Sequence, residues 1–190
     1  MIKYPIIYRR GHRGKQKGDA EETYSLDPAK TRERLFQRAA KLLAAKQRSV
    51  EELRERLLAG RGATPQLVET VIDRLREYGY LNDERLAHSY ASLRVQQRPL
   101  GRQRLERDLR QKKIDQQTVA AALDQVFAQT SENDLIDRAI AKRIRLRGRP
   151  KTPQEARKLF DHLLRQGFGF ELVSDRVRWL AKSALDDMEL

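Results

Sequence analysis

Three segments of this chain carry the same hydrophobic skeleton. The first reads Leu53, Leu57, then Val68, Ile72, Leu75; the second Leu105, Leu109, then Val119, Leu123, Val126; the third Leu159, Leu163, then Val173, Val177, Leu180. Each is an i, i+4 pair, a short break, and an i, i+4, i+7 triplet, which is how one face of a 3.6-residue helix reads. The period is roughly fifty residues, in the range of helical repeat arrays. A further amphipathic stretch precedes each pair: Leu35, Ala39, Leu42 and Leu43; Leu86, Tyr90 and Leu93; Ile136, Ile140 and Ile144. The pattern predicts an all-α protein of three tandem three-helix repeats forming an elongated, curved array, in which stacking on neighbours completes each repeat's core.

Start and stop signals fall between these stretches. Asp27-Pro28 reads as an N-cap acid followed by a first-turn proline, Ser49-Val50-Glu51-Glu52 as a capping box, and Thr64-Pro65 as a second cap with proline. Tyr78-Gly79 ends a helix with a residue free to turn left-handed. Asn82-Asp83, Asp115 and Ser131 open helices; Pro99-Leu100-Gly101 breaks the chain. Thr152-Pro153-Gln154-Glu155 combines cap, proline and capping-box acid, and Gly167 precedes a last helix from about residue 171 to 185. The organisation expected is a basic, disordered N-terminal arm over 1–33, then repeats over 34–81, 82–130 and 131–190. Arg9 to Gly18 holds no apolar residue to bury.

Composition changes this picture in two ways. Charged residues make up 35% of the 190 residues and aromatics 6%, a mix suited to helices that need only a narrow apolar stripe. The formal net charge is +13, which attracts polyanions, nucleic acid foremost. Cysteine is absent from the sequence, excluding disulfides and thiol chemistry. No signal-like apolar region or membrane-length run is present, so a cytoplasmic protein without membrane contact is expected. His12, His88 and His162 stand apart from one another, and Asp186-Asp187 reads as a solvated end. No enzyme, metal site or cofactor is expected.

The candidate site is therefore cationic. Opposite Leu105 and Leu109 lie Arg104, Arg107 and Arg110, followed by Lys112 and Lys113 where cations favour the helix dipole; Arg94, Arg98 and Arg102 precede them. Opposite the Ile136/Ile140/Ile144 stripe lie Arg138, Lys142 and Arg145, extended by Arg143, Arg147, Arg149 and Lys151. From residue 138 to 151 there is no acid, so local neutralisation fails there, whereas Glu106 and Asp108 temper the first cluster. The single tryptophan, Trp179, lies off its helix's apolar stripe; packing against the preceding repeat is its expected role, with a partner-facing anchor as the alternative.

Several short motifs resemble those of the RecX regulatory proteins. They are Tyr80-Leu81-Asn82-Asp83 with Leu86-Ala87; Arg48-Ser49 with Glu52-Leu53 and Leu57; Pro99-Leu100-Gly101 with Leu105, Leu109, Lys112, Lys113 and Ile114; and Gln166-Gly167-Phe168 with Val173. The resemblance runs from about residue 35 to 185, and it is the occurrence of all the motifs in order that is specific. Proline and glycine are rearranged at 99–101, Leu86 replaces a usual Phe, and Lys113 stands where Gly is usual. The resemblance implies a modulator of the RecA recombinase that binds the groove of the RecA–single-stranded-DNA filament as a monomer. It further implies inhibition of ATP hydrolysis, strand exchange and co-protease activity by blocking filament growth or promoting disassembly, and so a role in DNA repair and recombination. The alternative is a basic helical protein that binds nucleic acid directly. Against a DNA-reading role for the third helix of the first repeat stand Glu69, Asp73 and Glu77, expected on its exposed face.

Overall fold

The computed structural model describes residues 27–186, with side chains as far as Leu180. Most of the basic arm, including Arg9 to Gly18, lies outside the described residues, as does Asp187. Among the described residues there are nine α-helices and no strand: α1 (Pro28–Ala45), α2 (Val50–Leu58), α3 (Pro65–Glu77), α4 (Asp83–Gln97), α5 (Arg102–Gln111), α6 (Gln116–Gln129), α7 (Glu132–Arg147), α8 (Pro153–Arg165) and α9 (Phe170–Asp186). The first helix begins inside the stretch 1–33 assigned above to the arm.

The helices pack in threes: α1 with α2 and α3, α4 with α5 and α6, and α8 with α7 and α9. The skeleton positions form the core, with Leu53, Leu57, Val68, Ile72, Leu105, Leu109, Val119, Leu123, Leu163 and Val173 all essentially inaccessible; Val177 packs at its edge. One expectation about a buried face fails. On α4 the buried side chains are Leu86, Ala87, Ala91 and Val95, while Leu93 is exposed. Two alanines on one face let α6 approach closely, and a stripe read from large residues alone misses them.

The helix starts follow from their caps. Asp27, Thr64, Asn82, Asp115, Ser131 and Thr152 each accept a backbone N–H in the first turn, and Ser49 completes a two-way capping box with Glu52. A cap of this kind contributes about 1 kcal/mol. At α8 the box is not closed as expected: Glu155 Oε2 accepts from the N–H of Lys151 at 2.7 Å rather than from the cap residue.

The cores of the triplets are not equally shared. The first triplet has a core of its own, including Leu35, Leu53, Ile72, Leu75 and Leu81. The second and third share one continuous core that runs from Leu86 to Leu180, with Phe168 its largest fully buried side chain. Stacking therefore completes the core of the second and third units, and the first buries its apolar face internally.

Both joints use helix ends. At the first, Ser49 Oγ donates to the carbonyl of Lys112, Asp83 Oδ1 accepts from the N–H of Val50 at 3.0 Å, and Lys113 pairs with Glu55. At the second, the start of α5, which lacks a side-chain cap of its own, is capped by the third triplet. Gly101 N–H donates to Gln166 O at 3.0 Å, Gln103 N–H to Gly167 O at 3.1 Å, and Arg102 N–H to Glu132 Oε1 at 3.0 Å. These are N–H groups that a helix start leaves unpaired. The approach is close enough that a Cβ on Gly101 would lie 2.3 Å from Gly167 O, and one on Gly167 2.2 Å from Arg104 N.

Candidate polyanion-binding surface

The cations of α5 are largely engaged. Arg104 pairs with Asp108 at 3.0 Å and Arg110 with Glu106 at 2.7 Å. Arg107 Nε donates to Gln103 O at 3.2 Å. Lys112 lies 5.2 Å from the centre of the Tyr90 ring, and Lys113 is part of the first joint. Exposed ion pairs are worth little and exchange readily, so these groups can still reach a polyanion, but each must first give up a partner.

The cations of α7 differ. Arg138, Lys142, Arg145 and Arg147 are exposed and Arg143 is half-buried, and none of the five makes an ion pair among the described residues. Lys151 and Arg149 are exposed on the loop that follows. Arg143, Arg147 and Arg149 converge with Lys158 of α8 on a cavity of about 240 Å³ between the end of α7 and the start of α8. Its one acid is Glu155, which α8 brings back towards the loop; the acid-free run in sequence is thus not wholly acid-free in space. On the other side of Arg143 a second cavity, of about 250 Å³, gathers Lys142, His162 of α8 and Arg98 from the loop before α5. Burial pushes the His162 imidazole below its usual range, and the charges of Arg143 and Arg165 push it further. Burial and the neighbouring cations act in the same direction, each favouring the uncharged imidazole.

The structure thus brings Arg143, Arg147 and Arg149 together, sets Lys142 and Arg143 on a neighbouring cavity, and leaves the α5 group with local partners. Lys158 and His162 were not among the expected site residues, and Arg98 was noted only with the α5 group. The capped α7–α8 turn could have signalled Lys158, since a residue early in α8 must face the end of α7. Trp179 is 64% exposed, so the packing against the preceding repeat expected of it does not bury it. Leu146 is 67% exposed amid the arginines. Among the described residues no group of three or more His, Asp or Glu could hold a metal ion, and no helix is long and apolar enough to cross a membrane.

A family model described as "RecX, second three-helix domain" matches residues 82–123, which hold α4, α5 and the start of α6. A regulatory protein RecX of Treponema pallidum (strain Nichols) is 34% identical over 119 residues, covering 62% of this chain and 71% of that protein. The chain belongs to the RecX family. A regulatory protein RecX of Bacillus subtilis (strain 168) is 29% identical over 139 residues, 73% of this chain; the chain spans about half, 52%, of that relative's length. The crystal structure of RecX from Lactobacillus salivarius matches with a TM-score of 0.70 at 18% identity, over 81% of this chain and 98% of that one, a likeness of fold. Both relatives are named as regulatory proteins. Membership also gives Lys113 a context: it is the one non-glycine residue with positive φ, +61°, among the described residues, at the position where the resemblance expects glycine.

Proposed function

We propose that this chain regulates the RecA recombinase by binding the groove of the RecA–single-stranded-DNA filament, acting as a monomer and by contact alone. Binding there inhibits ATP hydrolysis, strand exchange and co-protease activity and so modulates repair and recombination. RecX membership supports the partner. The observation that carries the binding surface is the set of cations on α7, Arg138, Lys142, Arg143, Arg145 and Arg147, none of which makes an ion pair among the described residues. A filament on DNA offers anions at regular spacing, from phosphate and from acidic side chains. A surface that starts with unpaired cations binds it without first breaking local pairs.

The test is RecA's single-stranded-DNA-dependent ATP hydrolysis with this protein titrated well below the RecA concentration. Inhibition at low ratio that excess DNA does not relieve is the expected result. Inhibition that appears only when the DNA is saturated with this protein would overturn the filament reading in favour of direct DNA binding. The same cations support that second reading, which predicts a steep loss of affinity with salt, a log–log slope of about −0.9 per phosphate neutralised on duplex DNA. The third helix of the first triplet is poorly suited to enter a DNA groove: Asp73 and Glu77 are exposed, although Glu69 is half-buried and held by Arg54 at 2.6 Å.

A further inference from the structure

The first triplet carries a second surface that the α7 cations do not explain. Of the four residues Tyr80-Leu81-Asn82-Asp83, three have structural roles: Leu81 is buried, Asn82 caps α4, and Asp83 accepts from Val50 at the first joint. Tyr80 has none of these, and its side chain is 66% exposed. Tyr78 stands beside it, 53% exposed, with the two rings edge to face at 6.2 Å, and Phe36 continues the row at 6.3 Å from Tyr78. The guanidinium of Arg74 lies 4.6 Å from the Phe36 ring centre and donates to Tyr78 Oη at 3.1 Å. These groups, with Leu43 and alanines of α1, line an apolar groove of about 580 Å³.

On the far side of Tyr80 the lining turns polar. A smaller cavity, sharing Tyr80 and Leu43 with the groove, is faced by Gln47, Arg48, Asn82, Arg85 and Ser89. Arg48 makes no hydrogen bond or ion pair among the described residues, and its Nε is buried with no partner. A buried donor of a charged group is costly to leave unpaired. No acid lines either cavity. An unpaired guanidinium, a second arginine and neutral donors on one side of an open tyrosine, with aromatic rings on the other, match an anion joined to a flat apolar ring.

The geometry points to a binding site for single-stranded nucleic acid where the first triplet meets α4, with a phosphate held by Arg48 and Arg85 and the adjoining bases stacked against Tyr80 and Tyr78. Aromatic platforms beside cationic grooves bind unpaired strands without regard to sequence, because every base has a π-face. Duplex DNA keeps its base faces stacked and offers this site nothing beyond phosphate. The site stands apart from the α7 surface and does not depend on the RecA reading.

The experiment measures binding of the full chain to fluorescently labelled oligothymidylate and to an abasic oligomer of equal length and charge. It is repeated for Tyr80→Ala, Tyr78→Ala and Arg48→Gln, each also in an Arg143→Glu/Arg145→Glu/Arg147→Glu background that reverses three of the five α7 cations. Tyr80→Ala and Tyr78→Ala change exposed side chains and leave the fold intact, so they keep the test decisive if Arg48→Gln unfolds. The expected result is about a tenfold loss of oligothymidylate affinity for Tyr80→Ala, with no change for the abasic oligomer, in both backgrounds. Equal binding of the base-bearing and abasic oligomers by the unsubstituted chain would overturn the site. So would wild-type affinity in both tyrosine variants. Thymidine monophosphate bound as tightly as the strand would also overturn it, by assigning the groove to a free nucleotide. Displacement by an acidic aromatic peptide but not by oligothymidylate would assign the groove to a protein instead. RecA ATP hydrolysis is a separate readout, so failure of this site and failure of the filament reading are told apart.

Discussion

Gly79 and Gly167 both take a positive φ, +71° and +90°, in different surroundings. A Cβ at Gly79 would meet nothing within 4 Å, whereas at Gly167 it would fall 2.2 Å from Arg104 N. Gly79→Ala therefore costs only the left-handed conformation, about 1 kcal/mol. Gly167→Ala also drives the second and third triplets apart, and its expected cost is at least ~3 kcal/mol; denaturant midpoints separate the two, and equal losses would contradict the close approach. Lys113 poses the converse case, since its positive φ is strained. Lys113→Gly relieves that strain and loses an exposed pair with Glu55, which is worth little. The variant should gain about 1 kcal/mol by the same measurement; a loss would mean that the Glu55 pair matters more than the backbone. The buried positions at this scale were readable in advance because leucine and valine at helical spacing have one place to go. Trp179 was not readable, because an indole off the stripe fits a neighbour's surface or solvent equally well by pattern, and only the packing decides.

Helix ends join the first triplet to the second, and at the second joint they add to a shared apolar core. The caps could be read from sequence, since Ser, Thr, Asp or Asn before an apolar stretch has a local reason to be there. What those caps do across the joints could not, because backbone carbonyls and N–H groups carry no residue signature. The start of α5 shows this: Gly101 offers no side-chain cap, and the missing partners come from Gln166, Gly167 and Glu132, thirty or more residues away. Asp83 extends the theme and adds a pH dependence. Burial raises its carboxyl above the usual range, against the pull of the Val50 N–H and, more weakly, Arg76; the nearby charges of Asp115 and Glu52 raise it further. A carboxyl with a raised native pKa contributes stability below its unfolded pKa and loses that contribution as pH rises through the native one. Asp83→Asn keeps an acceptor for Val50 and removes the charge. Urea midpoints taken from acid to neutral pH should fall less with rising pH in the variant than in the unsubstituted chain. Parallel profiles would mean that Asp83 does not feel its burial.

For the whole molecule, the division of the core matters most. The first triplet is joined to the rest by polar end contacts, and the second and third by a common apolar core with interlocked backbone. Native-state hydrogen exchange should therefore resolve α1–α3 as one cooperative unit and α4–α9 as another; one opening energy for all nine helices would contradict this. A chain so divided presents the α7 cations on a firm body and the tyrosine site at that body's joint with a separable one. The cationic character of the surface was legible from the acid-free run, but its geometry was not: the turn into α8 adds Lys158 and Glu155, and the loop before α5 adds Arg98. The account stands or falls on whether those α7 cations carry regulation. The most direct measurement is the RecA ATP hydrolysis titration repeated with Arg143→Glu/Arg145→Glu/Arg147→Glu, with the helical circular dichroism spectrum as the control for folding. The account predicts an unchanged spectrum and a marked loss of inhibition at low ratio. Full inhibition by the folded variant would remove this surface from the mechanism.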